Sequence, residues 1–193
     1  MLLNIEKLGS PILRETAKPI AEVTDEIKKL AEDMFETMIE ANGVGLAAPQ
    51  IGKSIRMFVL IADDDVRRVF INPQIIKTSE EIGPYDEGCL SVPSIYETID
   101  RPLKVTVQAL NENGKLFTLD ADGLLARIIQ HENDHLNGII FIDRGDKKFA
   151  EKTEEQFKKR AERSEQKAKE KAAKQARIAA KIAAKQAKKN KTL

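Results

Sequence analysis

Gln130-His131-Glu132-Asn133-Asp134-His135 is the stretch around which this sequence is organised, and it contains both histidines of the chain. On an α-helix, residues four apart lie one turn above each other, so His131 and His135 project from one face. Two imidazoles at this spacing can bind one divalent metal ion, with Glu132 beside it. The alternative is that the two histidines are simply packed or solvated. The intervening glutamate favours the metal site, because a metal-activated water requires such a base.

The helix that carries the histidines is predicted to be buried on that face. Leu124 and Ile128 continue the face upstream at helical spacing, which indicates that the imidazoles point into the protein. Cys89 is the natural third ligand, because a catalytic metal site usually offers three protein ligands and one open position. A buried structural thiol is the alternative for a lone cysteine. Its neighbours Glu87-Gly88 and Leu90-Ser91, on a turn between strands, favour a ligand.

Length and charge divide the chain into two parts. Its 193 residues, 41% of them hydrophobic, suit one compact domain with an appendage. The net charge of +1 hides an asymmetry, since 17 Lys and Arg stand against 6 Asp and Glu from Lys147 onward. We therefore predict a compact domain over residues 1–147 and a basic, Lys- and Ala-rich helical extension over residues 148–193.

The periodicity of the first part predicts an α+β fold. A helix is expected from Thr24 or Asp25 to Asn42-Gly43, because apolar residues recur there at steps of three and four. Alternating stretches then predict antiparallel strands, with turns at Gly83-Pro84 and at residues 111–114. The expected architecture is mostly antiparallel sheets packed around a central His-Glu-x-x-His helix, with an N-terminal helix and a long C-terminal helix.

Localisation follows from what the sequence lacks. No apolar run approaches the ~20 residues that span a bilayer, and no secretory or transit segment is recognisable at the start. A single cysteine excludes an intramolecular disulfide and suits a reducing compartment. The sequence predicts a cytoplasmic protein with neither a membrane nor DNA as partner.

Three motifs together resemble those of the bacterial peptide deformylases, in their order and at their spacing. They are Gly43-Val44-Gly45-Leu46-Ala47-Ala48-Pro49-Gln50, Glu87-Gly88-Cys89-Leu90-Ser91 and the stretch from Gln130 to His135. The resemblance covers about residues 5–145. It implies a metal-dependent hydrolase that removes the N-formyl group from the N-terminal formylmethionine of newly synthesised polypeptides and releases formate.

The resemblance also implies roles for the site residues. Cys89, His131 and His135 hold the metal ion, with water in the fourth position, and Glu132 takes the proton of that water and returns it to the leaving amine. The Gln50 side-chain amide and the Leu90 backbone N–H stabilise the developing charge on the formyl oxygen.

Substrate recognition is inferred in the same way. Gly45 and nearby backbone bind the peptide like an added strand. Arg101 and Asp134 form a pair that orients the metal-binding loop, for which an ordinary surface ion pair is the alternative. The methionine pocket is lined by Val44, Tyr85, Glu87, Leu124, Arg127 and Ile128.

The resemblance further implies one divalent metal per chain and a possible docking partner. Ferrous iron is the expected ion in the cell, with zinc, nickel or cobalt as other occupants, because the same ligands accept each. In bacterial members the C-terminal helix resembles a ribosome-docking element, and a cationic helix suits rRNA phosphates. A solvated helix is the alternative.

Two other functions compete with this interpretation. One is a zinc endopeptidase of the His-Glu-x-x-His type, which normally takes its third ligand downstream as Glu or His. No further histidine follows His135, and the later glutamates lie in the charged tail. The other is a non-catalytic ribosome- or RNA-binding protein with a structural metal. The presence of Glu132 and Gln50, neither of which is a predicted ligand, argues against it.

Overall fold

The computed structural model describes residues 1–190, apart from the side chains of Ile178 and residues 180–190. Residues 191–193 of the predicted tail lie outside this range. The main elements are α1 (Asp25–Glu40), β1 (Gly45–Ala47), β2 (Met57–Ile61), β3 (Arg67–Thr78), β4 (Ile82–Cys89), β5 (Val92–Pro102), β6 (Lys104–Leu110), β7 (Leu116–Asp122), α2 (Gly123–His135) and α3 (Lys147–Asn190). Short 3-10 helices cover Pro11–Arg14, Ala48–Ile51 and Phe141–Arg144.

The first helix forms where its periodicity predicts. Thr24 is the residue before α1. The acidic Asp25 and Glu26 lie in the first turn, where their negative charges interact favourably with the positive end of the helix dipole. Asn42 follows the helix with a φ of 56°, the left-handed conformation predicted for the exit. The predicted boundaries of this helix are confirmed.

Five strands form one antiparallel sheet in the order β1-β2-β3-β6-β7. All five residues of its strand β2 are apolar, because both faces of the strand are covered. Met57 and Val59 belong to the core cluster that includes α1, whereas Phe58 and Leu60 belong to the cluster that includes α2. Alternate residues of a strand point to opposite faces, so the sheet lies between the two helices.

The strands β4 and β5 form a separate two-stranded sheet. They pair from Ile82 opposite Pro102 to Gly88 opposite Tyr96, and the turn between them contains Leu90 and Ser91. The turn predicted at Gly83-Pro84 is therefore wrong, because both residues lie within β4. An exposed proline is tolerated there because the ribbon has two free edges, where an N–H group is not needed.

The helix α2 occupies the centre of the first part of the chain. It contacts β1, β2, β6 and β7 of the five-stranded sheet, and its Ala126, Ile128 and Ile129 are buried in the core. The stacked rings of Phe58 and Phe70, 4.7 Å apart, belong to the same cluster. The predicted α+β architecture around a central His-Glu-x-x-His helix is confirmed.

The chain divides into two compact units, Met1–Glu151 and a second one that begins at Lys152. The predicted boundary after residue 147 lies at the start of α3. In the second unit, exposed ion pairs join Glu155 to Lys159 and Glu165 to Lys169, at the i,i+4 spacing that supports a helix. Within the described residues, no helix is long and apolar enough to cross a membrane.

Candidate metal centre and active site

Strand β4 and helix α2 bring together three side chains that could hold a metal ion. His131 and His135 project from one face of α2, and Cys89 stands at the end of β4. The Cys89 Sγ lies 3.3 Å from His135 Nε2, and one donor atom from each of the three residues lies within 4.8 Å of the others. A thiolate and two imidazoles fit a divalent ion of the first transition series.

Glu87 fixes the orientation of one imidazole. Its Oε2 lies 2.8 Å from His131 Nδ1, so that the other ring nitrogen is available to an ion. Burial raises the pKa of Glu87, but the hydrogen bonds from His131 and Arg101 outweigh it and lower that pKa to about 2. Glu87 therefore stays a carboxylate at neutral pH, and it holds the Nδ1 edge of the His131 ring.

The cysteine is prepared for binding as a thiolate. Burial raises the pKa of the Cys89 thiol, but the charges and hydrogen bonds of His135 and His131 lower it well below its usual value. The buried Nδ1 of His135 has no hydrogen-bond partner among the described residues. The donor set, the short Cys89–His135 distance and the Glu87–His131 bond all fit an ion at this position.

Glu132 lies beside the three donor side chains, His131, His135 and Cys89. Its side chain is buried, and Oε2 has no hydrogen-bond partner within the described part of the chain. Burial raises the pKa of Glu132 to about 7, despite the opposing effect of His131 and His135. A carboxyl group with that pKa can accept and release a proton near neutral pH.

Gln50 and the β4–β5 turn lie next to these side chains. The Gln50 side-chain oxygen accepts a hydrogen bond from Ala47 N, and its Nε2 lies 3.4 Å from Cys89 Sγ and 3.2 Å from Ser91 Oγ. These bonds fix the amide with its donor nitrogen toward Cys89, one of the three candidate metal ligands. Leu90 lies in the turn that directly follows Cys89.

A cleft of about 500 Å³ opens at this site. Its walls include every residue predicted for substrate binding, and Gln50, Cys89, Leu90, His131 and Glu132 also line it. Gly43, Ile95 and Tyr96 line it too and were not predicted. The predicted substrate-binding residues in its wall are Val44, Gly45, Tyr85, Glu87, Leu124, Arg127 and Ile128.

A buried network of charges supports the cleft from behind. Arg101 donates to Glu87 and to Asp134, with the Arg101 Nη1–Asp134 Oδ2 distance at 2.7 Å and both side chains buried. Arg127 donates to Glu87 and stacks on the Tyr85 ring, 5.5 Å from its centroid. Arg144, which the sequence did not single out, is a second arginine that donates to Asp134, with its Nη2 lying 2.6 Å from Asp134 Oδ1.

Comparisons with known proteins agree with this geometry. The family model described as polypeptide deformylase matches residues 2–151. The peptide deformylase of Treponema pallidum (strain Nichols) is 51% identical over 146 residues, which are 76% of this chain and 90% of that relative. The peptide deformylase of Acinetobacter baumannii (strain SDF) is 49% identical over 160 residues, 82% of this chain and 91% of the relative.

A solved structure agrees as well. The crystal structure of peptide deformylase from Thermotoga maritima aligns with a TM-score of 0.73 and 40% identity, covering 76% of this chain and 99% of that one. These comparisons support neither a zinc endopeptidase nor a non-catalytic RNA-binding protein. The chain therefore belongs to the polypeptide deformylase family and is a metal-dependent hydrolase that removes the N-formyl group from newly synthesised polypeptides.

Proposed function

We propose that Cys89, His131 and His135 hold the divalent metal ion and that Glu132 is the proton carrier of the deformylation reaction. When bound, the ion polarises the formyl group and lowers the pKa of water from about 16 toward 7. Glu132 accepts the proton of the attacking water and delivers it to the amine that leaves. The single observation that carries this proposal is a buried carboxyl group, with a pKa of about 7, beside three convergent metal donors.

Gln50 and Leu90 are the proposed donors to the formyl oxygen. The Gln50 amide is held by Ala47 N and Ser91 Oγ, so it need not reorganise when charge develops on the substrate. The Leu90 backbone N–H lies next to the Cys89 ligand, and it is the second donor. Removing one donor of this kind typically costs about 3–4 kcal/mol of transition-state stabilisation.

The cleft takes the methionine side chain and the peptide that follows it. Leu124 and Ile128 supply an apolar wall on the helix face that also carries the histidines. Gly45 lies in β1, a strand of only three residues at the edge of the five-stranded sheet, where an extended peptide can add by main-chain hydrogen bonds. The enzyme therefore recognises formylmethionine and the backbone after it.

The proposed ion in the cell is ferrous iron, with zinc, nickel or cobalt as possible occupants. The Cys-His-His donor set accepts each of these ions, so availability in the cell selects among them. We place the reaction in the cytoplasm, where new polypeptides leave the ribosome.

The test is formate release from a formyl-Met tripeptide, with the acetyl-Met tripeptide as the matched control. The protein is purified anaerobically, and its metal content is measured on the same sample. We expect release that is specific for the formyl group and abolished by a chelator. Absence of release from protein that carries one metal ion per chain contradicts the proposal.

A second proposal concerns the basic extension, which we infer docks the enzyme on ribosomal RNA. No acidic residue follows Glu170, so every charged side chain after it is basic. Lys167, Lys171 and Lys174 are exposed and lie on one face of α3 at i, i+4 and i+7. Co-sedimentation with ribosomes at low salt tests this docking, and equal binding of full-length protein and protein shortened within the extension contradicts it.

A further inference from the structure

Three consecutive residues near the start of the chain, Glu6–Leu8, form hydrogen bonds to the main chain at or next to Gln50 and Leu90. These two residues are the proposed donors to the formyl oxygen, or oxyanion donors. The Glu6 N–H donates to the Gln50 main-chain carbonyl oxygen at 2.7 Å, and the Leu8 N–H donates to the Ser91 carbonyl oxygen at 2.9 Å. Between them, the Lys7 ammonium donates to the Leu90 carbonyl oxygen at 2.8 Å. One short segment therefore contacts the Gln50 loop and the β4–β5 turn together.

The Lys7 bond acts on the peptide group next to the metal-binding cysteine. The Leu90 carbonyl belongs to the same peptide group as the Ser91 N–H, and that N–H donates to Cys89 Sγ at 3.4 Å. A cation on the carbonyl oxygen polarises the peptide group and strengthens its N–H as a donor. Lys7 is therefore linked to the cysteine sulfur through a single peptide group.

In the β4–β5 turn, Ser91 is held by the Leu8 N–H and by Gln50 Nε2, whereas Lys7 is the donor to the Leu90 carbonyl oxygen. The turn contains only Leu90 and Ser91, and a small rotation of its peptide groups redirects the Leu90 N–H. No ion pair of Lys7 with a carboxylate is found in the described range. A surface salt bridge therefore does not account for the position of its ammonium group. Its recorded hydrogen bond is the one to the Leu90 carbonyl.

We propose that Lys7 is a positioning residue for the deformylation reaction. Its ammonium holds the Leu90 carbonyl so that the turn presents the Leu90 N–H to the formyl oxygen and the Ser91 N–H to the Cys89 sulfur. This inference rests on the proposed role of Leu90 as an oxyanion donor. Because Lys7 touches neither substrate nor metal ligand, its effect is on the geometry and polarity of the turn.

The experiment compares three variants of the full-length protein. Lys7→Met removes the charge and keeps the length of the side chain, Lys7→Arg restores a cation, and Lys115→Met is the control at an exposed lysine on the β6–β7 turn. The kcat and KM for a formyl-Met tripeptide are measured at equal metal content. Two further readouts do not depend on activity: amide hydrogen exchange of Leu90 and Ser91, and the thiolate-to-metal absorption band of the cobalt-loaded protein.

We expect Lys7→Met to lower kcat about threefold to tenfold, less than the loss of an oxyanion donor itself, while KM stays within about twofold. Exchange at the turn should become faster and the cobalt band should shift, because the Ser91 N–H···S bond weakens. Lys7→Arg should recover most of kcat, and Lys115→Met should match the wild type.

Two results overturn the proposal. If Lys7→Met matches Lys115→Met in kcat and in turn exchange while the wild type is active, Lys7 has no positioning role and the proposed function stands. If the wild type itself releases no formate, the proposed function fails, and the role of Lys7 in the reaction fails with it.

Discussion

A Cβ atom placed on Gly45 would lie 2.3 Å from Oε1 of Glu132, so this carboxylate has its position only because residue 45 lacks a side chain. The same Cβ would lie 2.8 Å from Cγ2 of Ile128. Side chains of helix α2 therefore pack directly against the backbone of strand β1 at this residue. The glycine therefore determines where the proposed proton carrier stands.

Gly45→Ala should displace Glu132 and slow the reaction. A misplacement near 1 Å costs about 100-fold in rate, and overpacking costs about 1–3 kcal/mol of the free energy of unfolding. Metal content should stay at one ion per chain, because the atoms nearest to a Cβ at residue 45 belong to Glu132 and Ile128 and not to the three proposed ligands. The measurements are kcat/KM, metal content and urea unfolding, and an alanine variant as active as wild type would contradict the assigned position.

Glu132→Gln should abolish proton transfer without releasing the metal. The amide is nearly isosteric but is not basic, and the loss of a general base lowers kcat about 10²- to 10⁴-fold. Glu80→Gln, at an exposed position, is the matched control and should keep full activity. Loss of the metal together with the activity would instead make Glu132 a structural residue.

Glu87→Gln should weaken both the metal centre and the fold. Glu87 accepts bonds from Arg101, Arg127 and His131, so the neutral amide leaves two buried guanidinium groups poorly paired. Removing one partner of a buried ion pair costs about 3–5 kcal/mol, and losing the support of a ligand costs about 10- to 100-fold in metal affinity. Denaturant unfolding and metal competition measure the two effects. A variant with unchanged metal affinity would show that Glu87 does not orient His131.

Asn133→Leu should stabilise the protein. Asn133 lies between the two histidines in the sequence of α2. Its side-chain Oδ1 is buried without a hydrogen-bond partner among the described residues. An unsatisfied buried polar atom costs about 1–3 kcal/mol, which the apolar side chain avoids. We expect a higher melting temperature with unchanged kcat. A lower melting temperature would mean that the amide has a partner in solution.

Replacing Lys167, Lys171 and Lys174 with glutamine should weaken binding to ribosomes and leave tripeptide deformylation unchanged. If each lysine contacts one phosphate, the slope of log K against log salt should fall by about 2 to 3. Binding is measured by co-sedimentation at several salt concentrations. An unchanged slope would show that this face of α3 does not contact RNA.

The sequence predicted the elements that have a strong local pattern. The face of α2 was readable because Leu124, Ile128 and the histidines recur at helical spacing, and α1 was readable in the same way. The Asn111–Gly114 hairpin followed from its turn residues.

Other features depend on contacts that no local pattern encodes. Gly83-Pro84 has the composition of a turn, yet the pairing of β4 with β5 continues through it. Arg144 reaches Asp134 only because the 3-10 helix Phe141–Arg144 folds back beside α2. Lys7 contacts Leu90 across 83 positions, and nothing near Lys7 in the sequence announces that contact.

The two-stranded sheet β4–β5 shares no strand pairing with the five-stranded sheet, and Cys89 meets His135 across 46 positions. An ion held by both is therefore a cross-link that closes a long loop, as a disulfide does in secreted proteins. Half of this cross-link is a thiolate, which peroxide converts to sulfenic and then sulfinic acid. We therefore expect oxidants, as well as heat, to limit the working lifetime of the enzyme.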